Sequence, residues 1–248
     1  MRFVAISLLF LLAVAAQGQE AAQTPEWIRF GIAASPDLCY RTLKAGDEAP
    51  WTSPIVQDRD EQEIPRTGFT VGATAAAELP GPWGVETGLQ YAEQGYRTRP
   101  ITLMTLDGVT DPLVPREVEY TYRFRYLGVP LLATYHTAGP RFQFRAVLGF
   151  VAEWLLEIET IYYKHFKDRV ERHTAKGSRG YLPFNLSPSI GFGVRYVSSS
   201  RFSLTFTPTV RYGLLKIYDA PISGHLYSGG IVVGCQYAIQ RQSHSTQR

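Results

Sequence analysis

Cysteine is nearly absent: Cys39 and Cys235 are the only two in 248 residues. Two thiols cannot staple a small secreted scaffold. Charge is sparse as well, at 19% of residues against about 25% in soluble domains. A formal net charge of +3 gives no whole-chain signal for nucleic acid. After the first sixteen residues there is no run of ~18 consecutive apolar residues. Any membrane span must therefore be built from strands. Groupings that carry chemistry are missing too. No His, Cys and Asp cluster has metal-ligand spacing. A nucleophile and its base on one strand face would show as His-x-Ser. Here His225 and Ser228 are three apart, so they point to opposite faces. The other histidines, His136, His165, His173 and His244, fall at turns, loops or the tail. The expectation is no catalysis, no metal and no cofactor.

What is present begins with an export signal. Arg2 precedes an apolar stretch, Phe3 to Ala16. At about 14 residues it fits a signal h-region and is short for a membrane helix. Ala16-Gln17-Gly18 places small residues at the −3 and −1 positions, so cleavage is expected before Gln19. Residues 1–18 then form the signal peptide, 19–26 a short periplasmic lead, 27–240 the folded domain and 241–248 a polar tail.

The clearest pattern runs from Arg141 to Thr160. Its even positions, from Phe142 through Phe150 and Trp154 to Ile158, are all apolar. Its odd positions mix Arg145, Gly149, Glu153, Glu157 and others. Side chains alternate faces along a strand, so this is one long strand with a greasy face and a charged or small face. At ~3.3 Å per residue it would span roughly 60 Å, well beyond a typical globular strand.

Seven further segments repeat the pattern: residues 27–41, 68–79, 83–97, 118–136, 181–197, 201–214 and 224–240. In the strand over 83–97, Glu93 breaks the greasy face, which marks a bulge or the point where the strand leaves the membrane. In the strand over 118–136, Tyr120, Tyr122, Phe124 and Tyr126 read as the greasy face, and Pro130 as a bulge. Connections alternate long and short. That alternation predicts an all-β, eight-stranded antiparallel up-and-down transmembrane β-barrel with short periplasmic turns and long extracellular loops.

Alternation alone does not say which face is inside, because a soluble ligand-binding barrel alternates too. The non-greasy face is mostly Gly, Ser, Thr and Ala, and the lysines Lys44, Lys164, Lys167, Lys176 and Lys216 stand in loops or at strand ends. Small residues suit a narrow bore, whereas a solvated face would carry Lys and Glu. Aromatics cluster near both strand ends, as in outer-membrane girdles: Trp83, Phe142, Tyr196, Phe202 and Tyr237 by the turns, Tyr40, Tyr91, Tyr120 and Tyr227 by the loops. The greasy face is therefore read as facing lipid.

The segment Arg125-Tyr126-Leu127-Gly128-Val129-Pro130-Leu131-Leu132-Ala133-Thr134-Tyr135 resembles the PorT-like outer-membrane β-barrel family, which carries a Tyr-Leu-x-Ile-Pro-Leu-Leu stretch in its middle strand. Phe30-Gly31-Ile32-Ala33-Ala34-Ser35 and Val85-Glu86-Thr87-Gly88-Leu89-Gln90-Tyr91 are similar to it as well. Gly128 stands where the family often has an acidic residue, and the chain ends on a polar tail instead of an aromatic strand end. The resemblance implies fold and location, and no particular chemistry.

Eleven charges are expected to point inward: Arg29, Asp37, Glu78, Glu86, Arg123, Arg125, Arg145, Glu153, Glu157, Arg195 and Arg211. An eight-stranded barrel has an interior just wide enough for side chains, so these should pair and fill it. The first long loop is rich in Asp and Glu. The third carries Lys164, Lys167, Arg169, Arg172, Lys176 and Arg179 against Asp168 and Glu171. Two solvated loops of unrelated charge is one reading. In the other, Arg169, Arg172, Lys176 and Arg179 meet glycolipid phosphates, or the basic loop folds over the acidic one. Cys39 and Cys235 are expected as unpaired thiols.

The function expected is a small, closed, non-enzymatic outer-membrane barrel with a structural or interaction role through its extracellular loops. Its expected partners are outer-membrane lipid and glycolipid, the barrel-assembly machinery during insertion, and an envelope protein, with no nucleic acid. The competing readings are an outer-membrane lipid-modifying enzyme and a secreted soluble ligand-binding barrel.

Overall fold

The structure, a computed structural model, describes residues 27–46, 50–103, 114–199 and 201–240. The signal peptide, the lead and the tail lie outside the described residues. Ten strands form one antiparallel sheet: β1 (Trp27–Ala45), β2 (Glu63–Glu78), β3 (Trp83–Thr98), β4 (Ile101–Thr102), β5 (Glu117–His136), β6 (Phe142–His165), β7 (Val170–Lys176), β8 (Phe184–Val197), β9 (Phe202–Tyr212) and β10 (Ile222–Gln240). Helix α1 (Ser53–Gln62) sits between β1 and β2.

Eight of these strands close into a ring, in the order β1, β2, β3, β5, β6, β8, β9, β10 and back to β1. The ladder is nearly continuous, from Trp27 paired with Gln240 to Ala45 paired with Ile222 on one seam. Closure is what the setting demands, since hydrocarbon offers no partner to an unpaired N–H or C=O. The two remaining strands lie outside the ring. β4 adds two residues to β5, and β7 continues the β6 hairpin beyond it.

Within the membrane the outward residues are those the alternation predicts. Leu148 is 62% exposed, Leu131 64% and Phe206 47%, while Val147, Ser203, Thr205 and Thr207 between such residues are buried. Both girdles are present as ring pairs. Trp83 meets Tyr135 at 5.2 Å and Phe142 meets Tyr196 at 5.0 Å at the turn end; Tyr40 meets Tyr227 and Phe69 meets Tyr91 at 5.9 Å toward the loops. Such pairs add about 0.5–1.5 kcal/mol each beyond the area they bury.

Several strand details differ from the sequence reading: β4 and β7 are strands beyond the eight expected, β1 runs on to Ala45 rather than Arg41, and β8 starts at Phe184 rather than Tyr181. β2 starts at Glu63 rather than Gly68, and β6 runs on to His165. Pro130 lies in unbroken β5; the irregularity falls at Arg125/Tyr126, where Arg125 pairs with Glu157 but Tyr126 pairs with Leu155. Leu156 is the extra residue, a bulge that flips the faces of β6 above it.

That bulge marks a change of polarity. Below it β5 turns Leu127, Val129 and Leu131 to lipid and buries Gly128, Pro130 and Thr134. The same parity carried upward buries Phe124 and Tyr126 inside and half-buries Tyr122. Tyr120, Tyr122, Phe124 and Tyr126 therefore line the interior and are not a greasy outer face. Tyr120 packs on Tyr122 and Tyr162 and takes no part in the outer girdle. The reason is the surrounding medium. Above the bilayer the outside is water, so the wall packs as a soluble protein does, apolar side in. A core of Tyr96, Phe124, Tyr126, Ile158, Ile217 and Leu226 fills the barrel there.

Cys39 pairs in register with Ser228, and Cys235 with Ile32. They stand at different heights and on opposite faces, and both thiols are free. A disulfide needs Cα atoms within about 7 Å.

Leu148→Arg or Phe206→Arg should impair insertion, because Arg at the bilayer midplane of a barrel costs about 2–4 kcal/mol. The inward neighbour Val147→Ser should cost far less. Heat-modifiable gel migration of refolded protein reads the difference, and equal damage from both kinds of change would overturn the assignment of faces.

Candidate functional site

Three groups of charge are organised by this wall: one in the bore, one on the outer surface and one under α1. In the bore, the inward positions of the strands bring together eight of the eleven predicted residues. Glu78 on β2 accepts from Arg29 Nε at 2.8 Å and from Arg195 Nη1 at 2.6 Å. β2 and β8 stand opposite each other in the ring, so the second bond crosses the bore. Glu86 Oε2 accepts from Arg145 Nη2 at 2.8 Å and from Gln236 Nε2 at 3.0 Å. Asp37 accepts from Ser35 at 2.5 Å and Thr70 at 2.6 Å, and Arg211 Nη1 donates to the Thr70 hydroxyl at 2.9 Å. Glu153, fully buried, accepts from Gln94 at 3.0 Å and Ser187 at 2.5 Å.

These bonds tie facing walls together, and cavities of about 70 and 40 Å³ lie between them. A water occupies about 30 Å³ in the liquid. The cavity beside Arg145, Glu86 and Arg211 therefore has room for a few waters.

The other three predicted lumen residues, Arg123, Arg125 and Glu157, are not in the bore. β5 parity turns Arg123 and Arg125 outward, and the Leu156 bulge turns Glu157 and Glu159 outward opposite them. They form an external belt just above the lipid-facing surface. Arg125 binds Glu157, Glu159 at 2.9 Å and Glu93 at 3.5 Å. Arg123 reaches Glu159 at 3.5 Å, Arg66 reaches Glu93 at 2.7 Å and Lys176 reaches Glu157 at 3.3 Å. Glu93, the residue that broke the greasy face, thus sits among three guanidiniums. It faces Phe69 beside a bulge in β2 between Pro65 and Phe69. Gly95 follows with φ +149°, and a Cβ there would lie 2.0 Å from the Tyr122 carbonyl oxygen. Only glycine fits that approach.

The third group was missed in the sequence. Arg41 is 1% exposed at the upper end of β1. It binds Glu63 at 2.6 Å, Asp60 of α1, and the Arg59 carbonyl at 3.1 Å. Arg59 binds Glu63 at 2.7 Å and reaches the hydroxyls of Tyr218 at 3.2 Å and Tyr96 at 3.4 Å. Burial works against the Arg59 charge, but the bond to Glu63 and its negative charge outweigh that and hold the guanidinium above its ordinary pKa. Together α1 and these pairs cap the aromatic core. The signal existed: Arg41 continues the inward series Arg29, Asp37, Cys39. Assigning Glu63 to a loop concealed its partner.

The four basic residues predicted to meet glycolipid stand on or near the β6–β7 hairpin. Arg169 pairs with Glu171 at 2.8 Å and lies over the Phe166 ring; Lys176 is held by Glu157. Arg172 and Arg179 are exposed. No ion pair among the described residues joins this hairpin to the first loop, whose Asp60 and Glu63 are engaged by Arg41 and Arg59. His225 stacks on Tyr212 and meets the Gly213 carbonyl at 3.1 Å, while Ser228 is buried in the bore. Among the described residues no group of acidic, His and Cys side chains could hold a metal.

A ring of eight lipid-facing strands around a charged, closed bore is an outer-membrane wall. Residues 38–219 match the family described as outer membrane protein beta-barrel domain. The chain belongs to that family. It is located in the cell outer membrane, and no helix among its described residues is long and apolar enough to cross a membrane. No curated protein matches it. Similar solved structures include Ail, the attachment invasion locus protein of Yersinia pestis, at 11% identity over 87% of this chain and 100% of that one, TM-score 0.37. Neisserial surface protein A matches at 9% identity over 85% and 96%, TM-score 0.42. OprG from Pseudomonas aeruginosa matches at 15% over 88% and 98%, TM-score 0.44.

Glu63→Ala should loosen the extracellular cap, since it strands Arg41 and Arg59 without their shared carboxylate. Removing one partner of a buried pair costs about 3–5 kcal/mol. Limited proteolysis should then cut within residues 50–62 of the folded barrel, whereas the wild-type barrel resists. Equal resistance would show that the pairs do not hold α1.

Proposed function

We propose that this outer-membrane barrel is non-catalytic and acts as a binding platform, through the sheet that β5, β6 and β7 raise above the membrane. The observation that carries the reading is the pairing of a closed bore with an external sheet. The Arg195–Glu78 pair crosses the bore and aromatic rings fill its upper part. The sheet continues β6 to His165 and returns as β7, whose far edge has no strand beside it among the described residues. A strand edge presents unpaired N–H and C=O groups to which an extended segment of another protein can add. Its chemistry suits a polar partner, because it carries Glu171, Arg172, His173 and Lys176. The absence of catalysis is supported by the opposed placement of His225 and Ser228. The Arg125–Tyr135 stretch supports a PorT-like member of the family. Insertion would use the barrel-assembly machinery.

The same hairpin is a candidate contact for outer-leaflet glycolipid. Arg172 and Arg179 carry the charge for it, while Arg169 and Lys176 have carboxylate partners in reach. Guanidinium groups match phosphate oxygens well, and exposed pairs are weak singly, so only the cluster would count.

Two measurements test the platform. A photo-crosslinker at Thr174 in native membranes should capture an envelope protein, while one at lipid-facing Leu148 should not; no protein captured from Thr174 would sink the proposal. Replacing Arg169, Arg172, Lys176 and Arg179 with Gln should lower the glycolipid that co-purifies at low salt, with less difference at high salt. Retention unchanged at low salt would reject the phosphate contact and leave the strand edge untouched.

A further inference from the structure

Among the described residues, nothing caps the periplasmic end of the barrel as α1 caps the outer end. Between the turn at residues 79–82 and the turn at residues 137–141 a vestibule of about 550 Å³ opens to the periplasm. Its polar walls are Arg29, Glu78, His136, Gln143 and Arg195, with Trp83 at the rim. Gln143 is occupied by the Gly139 carbonyl at 3.0 Å. The charge balance of this wall is unequal. Arg29 and Arg195 share the one carboxylate of Glu78. The next charges inward, Arg145 and Glu86, balance each other and lend the vestibule no anion.

Both guanidiniums are more than nine-tenths buried, at 6% and 4% exposed. Each still has donors to spare. Among the described residues Arg29 Nη1 and Arg195 Nε have no hydrogen-bond partner, and neither does His136 Nδ1. A guanidinium carries five N–H donors and cannot accept. A buried cation without full compensation is costly. The vestibule is wide enough to admit what would compensate it.

We propose that this mouth is an oxyanion site, taking a phosphate- or carboxylate-bearing solute from the periplasm. The forked donors of Arg29 and Arg195 are matched to such groups. Glu78 holds the two forks on the vestibule wall and competes with the ligand. The site is separate from the extracellular platform and does not depend on it.

The test uses the full chain purified in detergent, in chloride buffer at constant ionic strength. Inorganic phosphate and acetate are titrated separately and binding is read by calorimetry. Saturable binding of at least one is expected, and which of the two binds assigns the ligand class. Arg195→Gln should weaken it roughly ten-fold or more, as a lost charge-assisted bond would, and Glu78→Gln should tighten it. Arg195→Lys keeps the charge and loses the fork, so it should weaken binding even if the Gln variant fails to fold. No saturable binding of either anion to the wild type overturns the site. So does binding that the Arg195 variants leave unchanged.

Discussion

Backbone hydrogen bonding in a medium without water is the constraint on which this structure rests. Each N–H and C=O in the lipid-facing zone must find a partner within the sheet. Eight strands meet that demand by returning β10 to β1, and the rung from Trp27 to Gln240 closes the circle. The narrow bore follows from the strand number. The crowding of Gly, Ser, Thr and Ala on inward positions follows from the bore. Charges admitted to that space have to pair across it, as Arg195 and Glu78 do between opposite strands.

The constraint ends where the hydrocarbon ends, and the wall then changes its logic. At Leu127 the apolar residue faces out; one step higher, Tyr126 faces in. Nothing in the backbone of β5 turns over between them. The change is in the medium on the outside, and the sequence has shifted its apolar set from odd to even positions to follow it. β6 makes the same transition by a bulge at Leu156, which brings Ile158 into the core and Glu157 and Glu159 into the belt. Arg66, Glu93, Arg123 and Arg125 complete the belt at the border between the two regimes, a level where the barrel needs polar groups outside and cannot leave them unpaired near lipid.

The two ends of the bore are therefore unlike. The upper end is filled by aromatic rings and capped by α1, whose hold depends on the buried pair of Arg41 with Glu63. The lower end is, among the described residues, a cationic vestibule.

The sequence by itself determined what strict alternation can encode: the eight strands of the ring, the alternation of long and short connections, and the lipid face of each strand within the bilayer. It also marked Glu93 as the place where β3 changes surroundings. It carried eight of the lumen charges, because residues such as Arg29, Glu86 and Arg211 keep one parity with the lipid-facing residues beside them. Only the tertiary structure decided the direction of the upper wall. A row such as Tyr120, Tyr122, Phe124, Tyr126 alternates equally well whether it faces lipid or a core, and its period holds no information about which side is wet. The Leu156 bulge shifts two strands by one residue without leaving a trace in composition. The partner of Arg41 lies more than twenty residues away, across a helix that periodicity did not reveal. Those outcomes depend on what stands opposite each residue across the bore, and that is settled only when the ring has closed.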